Sequence, residues 1–212
     1  MNTMVEHLRT LWEQALSIWL SGGWGMMAIA LNALVIFGLG THIYLRLNER
    51  GFQFVSEKIW RRWVDHPEER KGPIGYLLDF VTGSDSIKQT SDLFQELRTT
   101  EIVPFERDIR VLKICVSTAP LLGLLGTVSG MLTTFGALSS GSGGDKTMSL
   151  VAQGISEALI TTETGLVIAI PGLFFQYKLS RQKERYKSFL THLETIYTQK
   201  LYKKLSVQKK PA

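Results

Sequence analysis

MSLVAQGISEALITTETGLVIAIPGLFFQY, residues 148–177, is apolar at both ends and polar in the middle. A bilayer core of ~30 Å takes about 20 residues of helix, so the run is long enough to span. Yet it carries two carboxylates, Glu157 and Glu163, and three threonines, Thr161, Thr162 and Thr164. A carboxylate near the middle of a membrane helix costs roughly 2.5–3.5 kcal/mol on insertion scales. The nearest basic residues, Lys146 and Lys178, stand at the two ends of the run. Each acid is therefore expected to face other helices or water rather than lipid. At about 100° per residue, Gln153, Glu157, Thr161, Thr164 and Ile168 fall near one stripe, with Gly154 beside it. Thr162 and Glu163 fall off that stripe on opposite sides. Polar groups on several faces suit a helix wedged among others, with one side on a pore or central cavity.

Two further runs are long and nearly uncharged, Trp24–Leu45 and Ile114–Ser140. The predicted organisation is three spans, at 24–45, 114–138 and 148–177. Residues 1–23 precede them as an amphipathic helix, with Trp12, Trp19 and Trp24 as interfacial anchors. Residues 46–113 form a helical insert, 139–147 a short loop and 178–212 a basic tail. The fold class is all-α, a polytopic membrane protein whose three transmembrane helices extend into the cytoplasm. Lys and Arg crowd the insert and the tail, whereas Arg9 is alone before the first span and Lys146 alone in the short loop. Positive residues mark the cytoplasmic side, which puts the N-terminus outside and the C-terminus inside. The first span is read as retained rather than as a cleaved secretion signal. The net charge of +5 is then topology plus attraction to anionic lipid. Nucleic-acid binding is excluded, because the basic residues cluster at membrane exits without an aromatic platform.

Within the insert, residues 66–75 (HPEERKGPIG) read as a turn-rich break. A helix is expected from about Ser91, with Asp92 and Glu96 in its first turns and Pro104 kinking or interrupting it. The single cysteine, Cys115, reads as a small apolar filler, and one cysteine builds neither a disulfide framework nor a zinc cluster. The four histidines are scattered, and no reactive constellation or cofactor motif is present, so the chain is not read as an enzyme. The second span carries TAPLLGLLGTVSGM (118–131). Gly126 and Gly130 stand at small-xxx-small spacing, which favours close helix approach. No strand precedes these glycines and no GK[ST] follows, which excludes a nucleotide loop. Pro120 and Pro171 can kink their helices and free carbonyls that need partners. Thr127, Ser129, Thr133 and Thr134 add hydroxyls to this span. Two helices rich in small and hydroxylated residues, one with a membrane carboxylate, suggest a cation or proton path.

TAPLLGLLGTVSGM, followed after a short loop by GISEAL (154–159), Thr161–Thr162 and TGLVIAIPG (164–172), resembles the paired motif of the ExbB/TolQ/MotA proton-channel family. The three-span layout resembles the ExbB and TolQ branch more than the flagellar stators. The resemblance implies a bacterial inner-membrane motor subunit that uses the proton motive force to energise TonB-dependent outer-membrane transport. It implies a homo-oligomer, a pentamer, around a single-span ExbD- or TolR-like partner that supplies an aspartate, with a TonB-like protein beyond. By position it places the proton pathway on Glu157, Thr127 and Thr162. Glu163 departs from the family pattern; with Thr161 and Thr164 it is a candidate contact to the pore or between subunits. A proton crossing 100 mV releases about 2.3 kcal/mol, enough to shift a small conformational equilibrium. A TolQ-like envelope-maintenance subunit, a motor for motility or secretion and a non-conducting membrane scaffold are the competing readings.

Overall fold

The computed structural model describes residues 22–52, 55–82, 86–139 and 144–208, together with Glu6, Arg9 and Trp19. Every regular element among them is helical: α1 (Gly23–Glu49), α2 (Glu57–Asp65), a 3-10 turn (Pro67–Glu69), α3 (Gly72–Val81), α4 (Ile87–Glu101), α5 (Val103–Ser139) and α6 (Asp145–Gln208). Three of these helices are long and apolar enough to cross a membrane. Most of the amphipathic helix expected before residue 24 lies outside the described residues, as do residues 140–143 of the loop expected at 139–147, of which 145–147 already belong to α6. The chain divides into two compact units. One comprises Met1–Gly38 with Leu112–Phe175, the other Leu39–Val111 with Gln176–Ala212.

The first unit holds the apolar stretches of α1, α5 and α6. Its outward surface is hydrocarbon: Leu34 is 75% exposed, Leu132 67% and Phe174 73%. Water does not tolerate so broad an apolar surface on a soluble domain, whereas lipid matches it. With nothing gained by hiding leucines from lipid, packing has to come from close backbone approach. The sequence supplies that with small residues at helical spacing. Ala119, Gly123, Gly126, Gly130 and Thr134 of α5 meet Gly154, Ala158, Thr161, Gly165, Ala169 and Gly172 of α6, and most of both stripes is buried. The approach leaves no room for a methyl group. A Cβ placed on Gly130 would lie 2.8 Å from that of Ala158, and one on Gly126 would overlap the Thr161 side chain. Two polar ties fix α1 to α5. Asn32 Nδ2 donates to the Cys115 carbonyl at 3.0 Å, and Trp24 Nε1 donates to Ser129 Oγ at 3.1 Å. Pro120 and Pro171 lie inside α5 and α6, which continue as helices through both.

The second unit has a core of a different kind. Leu179, Tyr186, Leu190, Leu193, Tyr197 and Leu201 form a buried stripe on the distal part of α6. Phe52 packs against Tyr186 with the rings tilted and 5.0 Å between centroids, and Trp60 meets Phe189 edge-on at 5.7 Å. The stretch read from sequence as a basic tail is thus helical through Gln208 and lines this core. Its lysines cover the outside and mask the leucine and tyrosine spacing in a count of charges. Arg98 of α4 pairs with Glu194 at 2.6 Å, and the Tyr197 hydroxyl donates to the Thr82 carbonyl at 3.1 Å. The Arg70 side chain is nearly fully buried and closes the connection from α2 to α3. It donates to the Trp63 carbonyl, Asp79 and Thr82 Oγ1 at 2.9, 2.6 and 2.7 Å.

The element boundaries in this unit differ from the expectations in two places. The turn-rich break at 66–75 closes early, because α3 already begins at Gly72. Helix α4 begins at Ile87, after an extended Ser86, so Asp92 and Glu96 sit in its middle. Pro104 stands where the expected helix is interrupted: α4 ends at Glu101, and the proline falls in the first turn of α5. There its missing N–H costs nothing and its φ is already helical.

Glu101 is the polar centre of the unit. Its carboxylate, 12% exposed, pairs with Arg50 at 3.0 Å and accepts from the Tyr186 hydroxyl at 3.3 Å. Burial, reinforced by that carboxylate, pushes the Tyr186 phenol above its ordinary range. The fold therefore favours the neutral phenol. Its contribution to stability is complete below the ordinary tyrosine pKa of 10.0 and is lost as the pH rises beyond it. In an alkaline absorbance titration Tyr186 is expected to ionise last among the tyrosines, and Tyr186→Phe removes that final phase. For the apolar unit, Gly126→Val is expected to lower stability in detergent by about 1–3 kcal/mol through overpacking. Gly38→Ala, at a position with nothing within 4 Å of the added carbon, serves as the tolerated control in the same thermal melts.

Candidate functional site

The small-residue seam determines where the polar groups of α6 can point. Residues on the seam itself are enclosed, so Thr161 is fully buried. Its hydroxyl is shared between the Glu157 and Ala158 carbonyls at 3.1 and 3.0 Å. The two borders of the seam differ. On one border Thr162 Oγ1 donates across to the Gly123 carbonyl of α5 at 3.1 Å. This is a sequence-distant hydrogen bond in an apolar setting, and it locks the register of the two helices. The opposite border carries Glu157 and Thr164 and runs beside α1. Thr164 donates back to the Ile160 carbonyl at 2.8 Å, and with Ile168 it lines an apolar groove of about 370 Å³ against α1.

Glu157 is half-buried, and its carboxylate rests on Gly23 at the start of α1. A side chain at Gly23 would occupy the space of the carboxylate, and Gly23 holds φ +60°, which glycine alone adopts without strain. The acid thus lies at the N-terminal end of a helix, where backbone partial charge favours an anion. Among the described residues it has neither an ion-pair nor a hydrogen-bond partner. On α5, Thr127 donates to the Leu124 carbonyl at 2.6 Å and borders the seam one turn from Gly123.

The three residues assigned to a pathway from sequence do not form one hydrogen-bonded cluster within the chain. Thr162 is tied to α5, Thr127 to its own helix, and Glu157 lies on the other border beside α1. Thr127, Thr161 and Thr164 each give their hydroxyl hydrogen to a carbonyl of their own helix and keep an oxygen free to accept. Such an arrangement passes a proton only if the hydroxyls rotate or water joins them. Gln153, expected on the stripe with Glu157, is exposed, as is Glu163. Two contributors escaped the sequence reading. Asn32 is an isolated amide in an apolar span, a signal in itself. Gly23 carries no such signal, because its contact with Glu157 depends on the fold.

Residues 76–192, more than half of the chain, match the MotA/TolQ/ExbB proton channel family. Among individual relatives, the chain is 39% identical over 107 residues to a putative biopolymer transport protein ExbB-like 1 of Synechocystis sp., covering 48% of this chain and 42% of that protein. It is 35% identical over 114 residues to the Tol-Pal system protein TolQ of Haemophilus influenzae, covering 52% and 49%. A biopolymer transport protein exbB1 of Vibrio cholerae is 35% identical over 88 residues, covering 42% and 38%. The chain thus spans about half the length or less of these relatives. ExbB-like and TolQ relatives stand at similar identity, so the branch is open. The match contains both hydroxyl-rich spans and the seam between them, and the chain is a member of the MotA/TolQ/ExbB proton channel family, a multi-pass protein of the inner membrane.

Proposed function

We propose that the chain is the proton-conducting subunit of an inner-membrane motor that uses the proton motive force to energise TonB-dependent outer-membrane transport. The observation that carries this reading is Glu157. It is a half-buried carboxylate in a unit of apolar spans, without a partner among the described residues, held at the start of α1. Proton handling gives a reason to keep such a group where its desolvation is costly. Thr127 and Thr162 are the accompanying pathway hydroxyls, with Thr161 and Thr164 as further polar contacts. The working form is a homo-oligomer, a pentamer, around an ExbD- or TolR-like single-span protein that supplies an aspartate. A TonB-like protein receives the output, and anionic lipids meet the basic membrane exits. The N-terminus and the 139–147 loop lie outside, and both basic regions lie in the cytoplasm.

A TolQ-like role in envelope maintenance is the second reading, supported by the 35% identity to a Tol-Pal system protein over half of the chain. Complementation separates the two. Rescue of TonB-dependent uptake in a strain lacking its ExbB supports the first, and rescue of detergent resistance in a strain lacking TolQ supports the second.

Glu157→Gln keeps the shape and removes the titrating group. It is expected to abolish proton flux in liposomes containing the subunit and its partner while leaving assembly and melting temperature near those of the parent. Undiminished flux would overturn the assignment. Thr162→Val removes the hydrogen bond to Gly123. It is expected to cost about 0.6 kcal/mol of stability, the mean for such interhelical bonds. If Thr162 also handles protons, flux falls further than the stability loss explains, as a comparison of flux per folded oligomer would reveal.

A further inference from the structure

We propose that Glu163 marks the face on which a second copy of this chain seats, its carboxyl group meeting Thr127 of that copy. The proposal rests on the oligomeric reading above and adds the contact that builds it. Glu163 projects from the side of α6 opposite the seam, in an exposed stripe with Ser156, Leu159, Leu166 and Ile170. Among the described residues it has no ion-pair or hydrogen-bond partner. The outward stripe of α1, with Met27, Leu31 and Leu34, is purely apolar and fits lipid. The α6 stripe carries a carboxyl group at the depth of an apolar span, which lipid does not satisfy. A protein face with a polar group at the same level does.

The chain itself presents such a face. Thr162 bonds to Gly123 and Thr161 lies on Gly126, so Glu163 stands at the level of residues 123–126 of the antiparallel α5. Helical side chains lean toward the N-terminus of their own helix. The Glu163 side chain therefore leans toward the Gly126 level. Thr127 leans the opposite way, toward Leu124, whose carbonyl takes its hydroxyl hydrogen. In copies related by rotation about the membrane normal, the two groups share one layer. Thr127 opens on a recess of about 260 Å³ lined otherwise by Val128, Met131, Leu132 and Phe135. With its hydrogen committed, Thr127 Oγ1 can only accept, and a carboxyl group that carries its proton can donate to it. No proton changes owner. The α6 stripe and the α5 recess are different surfaces, so the contact is head-to-tail and closes into a ring when the rotation allows.

Cross-linking tests the contact in the intact protein within native membranes. Cys115→Ser gives a cysteine-free parent, since the chain has a single cysteine. Thr127→Cys and Glu163→Cys are added singly and together, and the membranes are oxidised. The double variant is expected to shift most of the chain into a ladder of covalent multimers. The two single variants expressed in one cell should yield a dimer, and each alone should stay monomeric. Dimers from Glu163→Cys alone would overturn the proposal by placing the stripe on a two-fold contact. Adducts of Glu163→Cys with a lipid-phase thiol reagent, or with a single-span partner, in place of the ladder would do the same. Size exclusion keeps the two readings separate. A multimer without the 127–163 ladder rejects this interface alone, whereas a monomer rejects the oligomeric reading with it.

Discussion

The apolar unit depends on one constraint, the missing side chains along the line where α5 meets α6. In lipid the hydrophobic effect does not press helices together, so contact distance has to supply the attraction. Glycine and alanine at intervals of three and four let the backbones approach until carbonyl oxygens of one helix face α carbons of the other. Every polar feature of the unit then follows from its angle to that line. Thr161 is on it and is sealed. Thr162 and Glu157 are on its two borders and find α5 and α1. Glu163 is opposite and finds no partner among the described residues.

The second unit solves a different problem with the same long helix. Its distal stripe of leucine and tyrosine makes a water-excluding core in which a few ions are enclosed. Glu101 is stabilised there because Arg50 and Tyr186 supply charge and a donor together. Removing Arg50 or Tyr186 would take from Glu101 one of its two partners at a site with little access to water. Arg70 follows the same rule, with three acceptors gathered around one guanidinium.

The spans were legible in the sequence because membrane thickness sets their length and the lack of charge marks them. The glycines of the second span were legible as a packing face, and Glu157 stood out by its cost in lipid. The partner of each polar group was not legible. Thr162 reaching Gly123, rather than its own helix, depends on the relative rotation of two helices, which periodicity does not contain. Asn32 and Cys115 meet for the same reason. The buried stripe within the basic tail was not legible, because charge counting is insensitive to residues such as Leu179, Tyr186, Leu190 and Leu193, which occupy one side of a lysine-rich helix. The early start of α4 had weak signals, since Ile87 to Gln89 contribute little periodicity ahead of Thr90 and Phe94.

The start of α1 carries a consequence for how freely this sequence can drift. At Gly23 two unrelated demands coincide, a left-handed backbone and empty volume for the Glu157 carboxylate. Asparagine, the usual second choice for a left-handed backbone, meets the first demand and fails the second. Alanine fails both. With the Glu157 carboxylate where it lies, glycine alone meets both demands. A change at residue 157 would relax only the volume requirement and leave the backbone requirement in place. A smaller residue at 157 would therefore admit asparagine at 23, so the tolerance of each position depends on the other.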